Sequence, residues 1–133
     1  MILVDTNVLL DVVQDDPVWA DWSLQQLEAA SLRARLCINA VIYAELSMAF
    51  QRIEQLEQVV KESGLVMDPI PKEALFLAGK VFLQYRKRQG TKAGVLPDFF
   101  IGAHAAVSDM EILTRDIGRY RSYFPKVTLI SPE

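Results

Sequence analysis

Residues 1–10 read MILVDTNVLL, and this stretch decides how the rest of the chain is interpreted. The short apolar run ILV at 2–4 is typical of a buried β-strand, and a helical pattern over 7–13 follows it directly. Asp5 stands at the junction, immediately after the strand. A strand that passes at once into a helix indicates an α/β protein, in which ligands bind at the strand ends.

The same alternation of strand and helix continues along the chain. Further strands are predicted at 36–38, 65–67, 112–114 and 127–130, and further helices at 17–33, 40–63, 71–89, 98–107 and 117–123. Short apolar strands separated by helices predict a parallel sheet covered on both faces, so we expect a three-layer α/β fold. With 133 residues and no linker, the chain 1–133 is predicted to be a single domain.

Composition and charge exclude several classes of protein. Apolar residues make up 51% of the chain and charged residues 23%, as in globular proteins. No uncharged run approaches the roughly 20 residues needed to span a membrane, and residues 1–10 lack the basic segment of a signal peptide. Cys37 is the only cysteine, so an intramolecular disulfide is impossible and a cytoplasmic protein is expected.

The net charge of −3 and the pI of about 5.2 argue against a nucleic-acid binder that depends on an overall positive field. Bound divalent cations would offset this charge. The objection therefore weakens if several of the acidic residues bind metal.

Four acidic residues stand in apolar surroundings: Asp5, Glu45, Asp98 and Asp116. Asp5 and Asp116 follow the first and fourth predicted strands. Glu45 lies on the helix after the second strand, and Asp98 opens the helix that runs back toward the fourth. All four can therefore meet at one edge of the sheet, outside the carboxyl ends of the strands.

Crowded carboxylates repel one another and lose hydration, so their pKa values rise unless a cation intervenes. Oxygen ligands without Cys or clustered His favour Mg²⁺ or Mn²⁺. One or two such ions can activate water and stabilise the entering and leaving oxygens of a phosphodiester. The acids therefore predict hydrolysis of a nucleic-acid strand.

Each acid also has a structural interpretation, which the sequence alone leaves open. Asp5, Asp98 and Asp116 can cap the helices that follow them. Glu45 interrupts AVIYAELSMAF, where an arginine partner would satisfy it.

The remaining polar and aromatic residues are predicted to be peripheral to the chemistry. His104, the sole histidine, points away from the Asp98 face of a helix, so packing or surface is expected for it. A metal-free ribonuclease usually needs a separate acid and base, often two histidines. The other aspartates singled out are assigned to the surface or to turns: Asp11, Asp15, Asp16, Asp21 and Asp68. The spaced aromatic residues are assigned to the core or a subunit interface: Trp19, Trp22, Tyr43 and Phe50.

Four blocks of sequence, each centred on one of the acids, resemble PIN domains, specifically the VapC-type toxins of bacterial toxin–antitoxin pairs. The blocks are MILVDTNVLL, AVIYAELSMAF, KAGVLPDFFIGAHA and ILTRDIGRYRSYFPKVTLISP, and the resemblance covers essentially the whole chain. It implies a Rossmann-like α/β/α fold with strand order 3-2-1-4-5 and a Mg²⁺- or Mn²⁺-dependent endoribonuclease. It also implies a homodimer that a cognate antitoxin holds inactive.

The resemblance also assigns roles by position. The four acids match the family's metal ligands and catalytic residues, and three polar residues match their support: Thr6, Asn7 and Thr114. Arg119 stands where some members carry a further acid, which puts a second metal site in question. The implied reaction leaves 5′-phosphate and 3′-hydroxyl ends. Basic residues that can guide the RNA strand are Arg86, Lys87, Arg88, Lys92, Arg115 and Arg119.

Other functions remain as alternatives. An aspartyl-phosphate phosphatase also carries an aspartate after its first strand, but its second aspartate is replaced here by Asn7. A signalling receiver domain expects paired acids after the first strand, whereas Asp5 stands alone. An inactive PIN-type binding module is the non-enzyme alternative.

Overall fold

Five parallel strands form one sheet in the computed structural model, which describes residues 1–88 and 90–132. The strands are β1 (Ile2–Val4), β2 (Leu36–Ile38), β3 (Val66–Met67), β4 (Glu111–Leu113) and β5 (Leu129–Ile130). Their order across the sheet is β3-β2-β1-β4-β5, and each pairing is parallel. Helices flank this sheet, so the predicted three-layer α/β class and the strand order implied by the resemblance are confirmed.

The helices lie close to their predicted positions, with one exception. They are α1 (Thr6–Val13), α2 (Ala20–Arg33), α3 (Ala40–Ser47), α4 (Ile53–Glu62), α5 (Lys72–Lys87), α6 (Leu96–Ser108) and α7 (Gly118–Tyr123), with a 3₁₀ turn at Ala93–Val95. Residue 89, where the helix at 71–89 was predicted to end, lies outside the described residues. Among the helices described, none is both long and apolar enough to cross a membrane.

The prediction of one continuous helix at 40–63 is wrong, because the chain breaks between α3 and α4. The amides of Met48, Ala49 and Phe50 each bond to the carbonyl three residues back, which tightens and ends α3. The Gln55 side chain then accepts hydrogen bonds from the Gln51 and Arg52 amides and begins α4. Such a break is invisible to apolar periodicity, which runs through both helices.

The central strand β1 is completely buried, with no accessible surface at Ile2, Leu3 or Val4. It pairs with β2 on one side and β4 on the other. Burial on both faces explains why its sequence is an unbroken apolar run and not an alternating pattern.

The chain reverses its path across the sheet beside β1. From β1 it proceeds through β2 to β3, and then returns to β4 and β5 on the opposite side. The Asp5 amide donates to the Leu113 carbonyl at 2.9 Å, so the carboxyl ends of β1 and β4 are adjacent. Open α/β sheets bind ligands at such a reversal, which directs attention to Asp5 and the residues after β4.

Candidate active site

The Asp5 carboxylate lies at the reversal point and is 5% exposed. Its Oδ1 accepts the Thr6 amide at 2.8 Å, so Asp5 does cap α1 as the structural interpretation proposed. Its Oδ2 accepts the Thr114 hydroxyl at 2.8 Å and the Tyr120 hydroxyl at 2.9 Å. Capping therefore engages one oxygen, while residues far along the chain converge on the other.

Burial raises the pKa of Asp5 to about 6, and the negative charge of Asp98 adds to this rise. Hydrogen bonds from Thr114, Tyr120 and the Thr6 amide act in the opposite direction. The ionised form of Asp5 is consequently destabilised near neutral pH, and a nearby cation would stabilise it.

Glu45 is held toward this site by a neighbour of Asp5 and not by an arginine. It projects from α3, and its Oε1 accepts the Thr6 hydroxyl at 2.6 Å. Asn39 caps the same helix, because its Oδ1 accepts the Ile42 amide at 3.0 Å. Thr6 thus bonds to two of the predicted acids, to Asp5 through its amide and to Glu45 through its hydroxyl.

Asp98 lies in the first turn of α6, which begins at Leu96, so it is not the capping residue. Its Oδ2 accepts Arg119 Nη1 at 2.6 Å. Burial raises the pKa of Asp98, the Arg119 hydrogen bond and charge lower it, and the charge of Asp116 raises it.

Asp116 is exposed, and its backbone adjoins the residues that hold Asp5. Its amide donates to the Thr114 hydroxyl oxygen at 3.1 Å. Asn7 Nδ2 lies 3.3 Å from the same oxygen and 3.5 Å from Asp5 Oδ2, while Asn7 Oδ1 accepts the Arg115 amide. The polar residues assigned by resemblance are therefore in contact with the acids they were expected to support.

Tyr120 is a site residue that sequence reasoning missed. It is 2% exposed, and burial together with the charges of Asp5, Asp98 and Glu45 raises its pKa well above the ordinary value. Its position four residues after Asp116, in the same sequence block, was the only available signal. The buried hydroxyl of Tyr120, on α7, thus interacts electrostatically with three of the predicted acids.

Residues 2–124 match the family model of the PIN domain. The chain belongs to the PIN domain family. The matched segment runs from β1 to the end of α7 and includes the four acids. The comparison with curated proteins found no match.

Solved structures that share this PIN fold include toxin–antitoxin complexes. VapBC2 from Rickettsia felis, bound to a promoter DNA fragment, is 19% identical with a TM-score of 0.76, over 100% of both chains. FitAcB from Neisseria gonorrhoeae is 22% identical with a TM-score of 0.71, over 98% of this chain and 96% of that one. A toxin–antitoxin complex from Klebsiella pneumoniae is 21% identical with a TM-score of 0.72, over 100% and 98%. At these identities the likeness shows the fold alone.

The acids of this PIN domain have the chemistry, though not the closed geometry, of a divalent-cation site. Their oxygens suit Mg²⁺ or Mn²⁺. As placed, no three Asp, Glu, His or Cys side chains of the described residues are grouped closely enough to hold an ion. Burial nevertheless raises the pKa of Asp5 and Asp98, so a cation would stabilise the charge here. The carboxylate oxygens of the four acids therefore fit a hard cation chemically, and one of these acids, Asp98, is paired with Arg119.

The prediction that Asp11 is a surface residue is wrong. Its side chain is 2% exposed, accepts the Ser23 hydroxyl at 2.7 Å and forms two hydrogen bonds with Arg115, at 2.8 and 2.9 Å. The Arg115 guanidinium also lies over the Trp19 ring. The expectation failed because packing of α2 on α1, and not local pattern, buries this face of the helix. Arg115 thereby anchors α1 to the segment after β4, and a role in guiding RNA stays a prediction for it.

His104 is completely buried, so packing is the role observed of the two predicted. Its Nε2 lies 2.8 Å from Asp68 Oδ2, and its Nδ1 lies 3.1 Å from Asn39 Nδ2. Because Asn39 Oδ1 is engaged by the start of α3, its amide nitrogen faces the ring, which assigns the imidazole proton to Nε2. This chain of contacts ties α6 to α3, the helices that carry Asp98 and Glu45.

Proposed function

We propose that this PIN domain is a Mg²⁺- or Mn²⁺-dependent endoribonuclease that hydrolyses single-stranded regions of RNA and acts as the toxin of a toxin–antitoxin pair. The buried Asp5 carboxylate at the reversal of the sheet carries the proposal. Its ionised form is destabilised by burial and by the charge of Asp98, and it is surrounded by polar residues from α1, α7 and the segment after β4. A cytoplasmic location is part of the proposal.

The proposed metal ligands are Asp5, Glu45, Asp98 and Asp116. When bound, the cation would lower the pKa of a water molecule and offset the charge that develops on the phosphodiester. The protein's own contribution is positioning: Thr114 and Tyr120 hold Asp5, and Thr6 holds Glu45. Carboxylates restrained in this way need little further ordering when RNA arrives.

The contacts of Asp5 also bear on the phosphatase alternative. The phosphatase mechanism needs a second aspartate two residues after the nucleophile, and Asn7 occupies that position. Asn7 donates toward Asp5 and cannot act as the missing acid. This arrangement supports a metal ligand over a phosphorylated intermediate.

A partner protein is the second part of the proposal. The solved structures with this fold include toxin–antitoxin complexes, which supports a cognate antitoxin, and we propose a homodimer as well. The chain also exposes large apolar side chains available for association: Val18, Leu32, Met48, Ile53 and Phe76. Light scattering of the purified chain tests the dimer, for which a monomeric mass would count against it.

Cleavage of RNA by the purified chain tests the nuclease. We expect cleavage with Mg²⁺ or Mn²⁺, none with EDTA, and products that carry 5′-phosphates. Asp5→Asn and Asp98→Asn should each lower the rate by about 100-fold or more, while Asp21→Asn, at an exposed site, should not. Cleavage that survives EDTA, or that ignores both substitutions, contradicts the proposal. Labelling of Asp5 by acetyl phosphate would instead favour the phosphatase.

A further inference from the structure

A cation of the protein itself already lies in the acidic site. Arg119 projects from α7, and its Nη1 donates to Asp98 Oδ2 at 2.6 Å. The two side chains are 31% and 27% exposed, so the pair is partly accessible to solvent. The next residue, Tyr120, donates to Asp5. One turn of α7 therefore brings a guanidinium and a hydroxyl to two of the proposed metal ligands.

The Arg119–Asp98 pair differs from the structural ion pair nearby. Arg115 meets Asp11 through two hydrogen bonds, and Asp11 is 2% exposed. Arg119 meets Asp98 through one hydrogen bond at a half-buried position. A bidentate pair on a buried acid is hard to open, whereas a partly exposed pair with a single bond contributes little and opens readily. Of the two arginines, Arg119 is therefore the one that a competing cation would displace more readily from its acid.

Electrostatic interactions indicate that Arg119 and a divalent ion would compete for Asp98. Asp98 is near Asp116 and Asp5, whose charges interact unfavourably with its own. Among the described residues, the Arg119 guanidinium is the positive charge that opposes this repulsion at Asp98. A divalent ion would bind the same carboxylate and would be repelled by the guanidinium beside it.

We propose that Arg119 is a built-in counter-cation of Asp98, which competes with the divalent cation for this carboxylate. The inference rests on the proposed function, because it assumes that the acids bind a divalent ion. It predicts that the arginine lowers the affinity of the site for a divalent cation.

Calorimetric titration with Mn²⁺, in the absence of RNA, tests this inference directly. We expect Arg119→Gln to bind Mn²⁺ about tenfold more tightly than the wild type, the size of effect that one unit charge near a divalent ion produces in water. Arg119→Lys keeps the charge and should change the affinity less. Arg121→Gln is the matched control, since it removes an exposed arginine from the same helix.

Thermal unfolding supplies a second readout and verifies that the variants fold. Without metal, Arg119→Gln should melt only slightly below the wild type, because the partly exposed pair that it removes contributes little to stability. The increase in melting temperature on adding Mn²⁺ should be larger in Arg119→Gln than in the wild type or in Arg121→Gln.

The outcomes separate this inference from the proposed function. Equal Mn²⁺ affinity in Arg119→Gln, Arg121→Gln and the wild type would overturn the inference and leave the proposed nuclease function unaffected. Binding by Arg119→Gln alone would support it. If neither the wild type nor Arg119→Gln binds Mn²⁺, the inference and the metal mechanism fail together.

Discussion

At the scale of single residues, the ionisation of Asp5 depends on hydroxyl groups brought from distant parts of the chain. Burial raises the pKa of this carboxyl to about 6, and the hydrogen bonds from Thr114 and Tyr120 oppose that rise. The residue is therefore balanced between its two protonation states just below neutral pH. Removing one donor should shift that balance measurably.

We expect Tyr120→Phe to raise the pKa of Asp5 further, by about one unit, because a hydrogen bond to a charged acceptor is lost. If ionised Asp5 is needed for cleavage, the acid limb of the pH–rate profile moves to higher pH. Carbon NMR of the carboxyl group and cleavage rates measure the two effects. Tyr123→Phe, on the same helix, is the control. An acid limb that stays in place would contradict the assigned hydrogen bond.

Gly102 is a second residue whose importance is decided by packing. A Cβ atom at this position would lie 2.3 Å from the ring of Phe124. Gly102→Ala should therefore lower the free energy of unfolding by about 1–3 kcal/mol, through overpacking.

Gly79 gives the matched comparison for this prediction, since a Cβ atom there would meet nothing within 4 Å. Gly79→Ala, in the exposed interior of α5, should raise the free energy of unfolding by about 0.5–1 kcal/mol. Urea denaturation of both variants measures the change in the free energy of unfolding, which should be negative for Gly102→Ala and positive for Gly79→Ala. Destabilisation of the same size in both would refute the packing argument.

At the scale of elements, α1 is attached to its surroundings by a buried polar group. Asp11 of α1 bonds to Ser23 of α2 and to Arg115 after β4. Asp5 is the N-cap of the same helix, so this attachment also restrains the position of Asp5. Helix α7 plays the complementary role by bringing Arg119 and Tyr120 to the acids.

Breaking the attachment of α1 should be costly. Asp11→Ala leaves the Arg115 guanidinium and the Ser23 hydroxyl without their partner, and we expect a loss of about 2–4 kcal/mol in the free energy of unfolding. Asp21→Ala, at an exposed position of α2, should change it by no more than about 0.5 kcal/mol. Chemical denaturation compares the two. Similar small effects would mean that the Asp11–Arg115 pair contributes little.

At the scale of the whole molecule, the buried acid makes global stability depend on pH. The pKa of Asp5 is about 6 in the folded chain against an ordinary value of 3.8. Between these values the folded state retains a proton that the unfolded state releases, so stability falls as the pH rises through this window. Above this pH window, the loss in the free energy of unfolding caused by burying ionised Asp5 is constant, at about 3 kcal/mol.

Asp5→Asn removes this ionisation and provides the test. In buffers without divalent ions, the melting temperature of the variant minus that of the wild type should become more positive as the pH rises from about 4 to about 7. Differential scanning calorimetry at several pH values measures this difference. A difference that does not vary with pH would show that Asp5 titrates normally.

Much of the fold was predictable from residues close together in the sequence. The run at 2–4, the acid at 5 and the helical pattern after it are local features, because burial on both faces of a central strand leaves an unbroken apolar run. The break between α3 and α4 was missed, since it depends on a side chain, Gln55, that captures backbone amides without disturbing the apolar pattern.

The sequence by itself determined the α/β class, the family resemblance and the four acids to which that resemblance points. Only the tertiary structure decided that Tyr120 bonds to Asp5 across 115 positions, that Arg119 pairs with Asp98 across 21, and that Asp11 is buried. The physical reason is that local patterns record which face of an element is buried. The partners that meet at a sheet edge are chosen only when the strands and helices pack together.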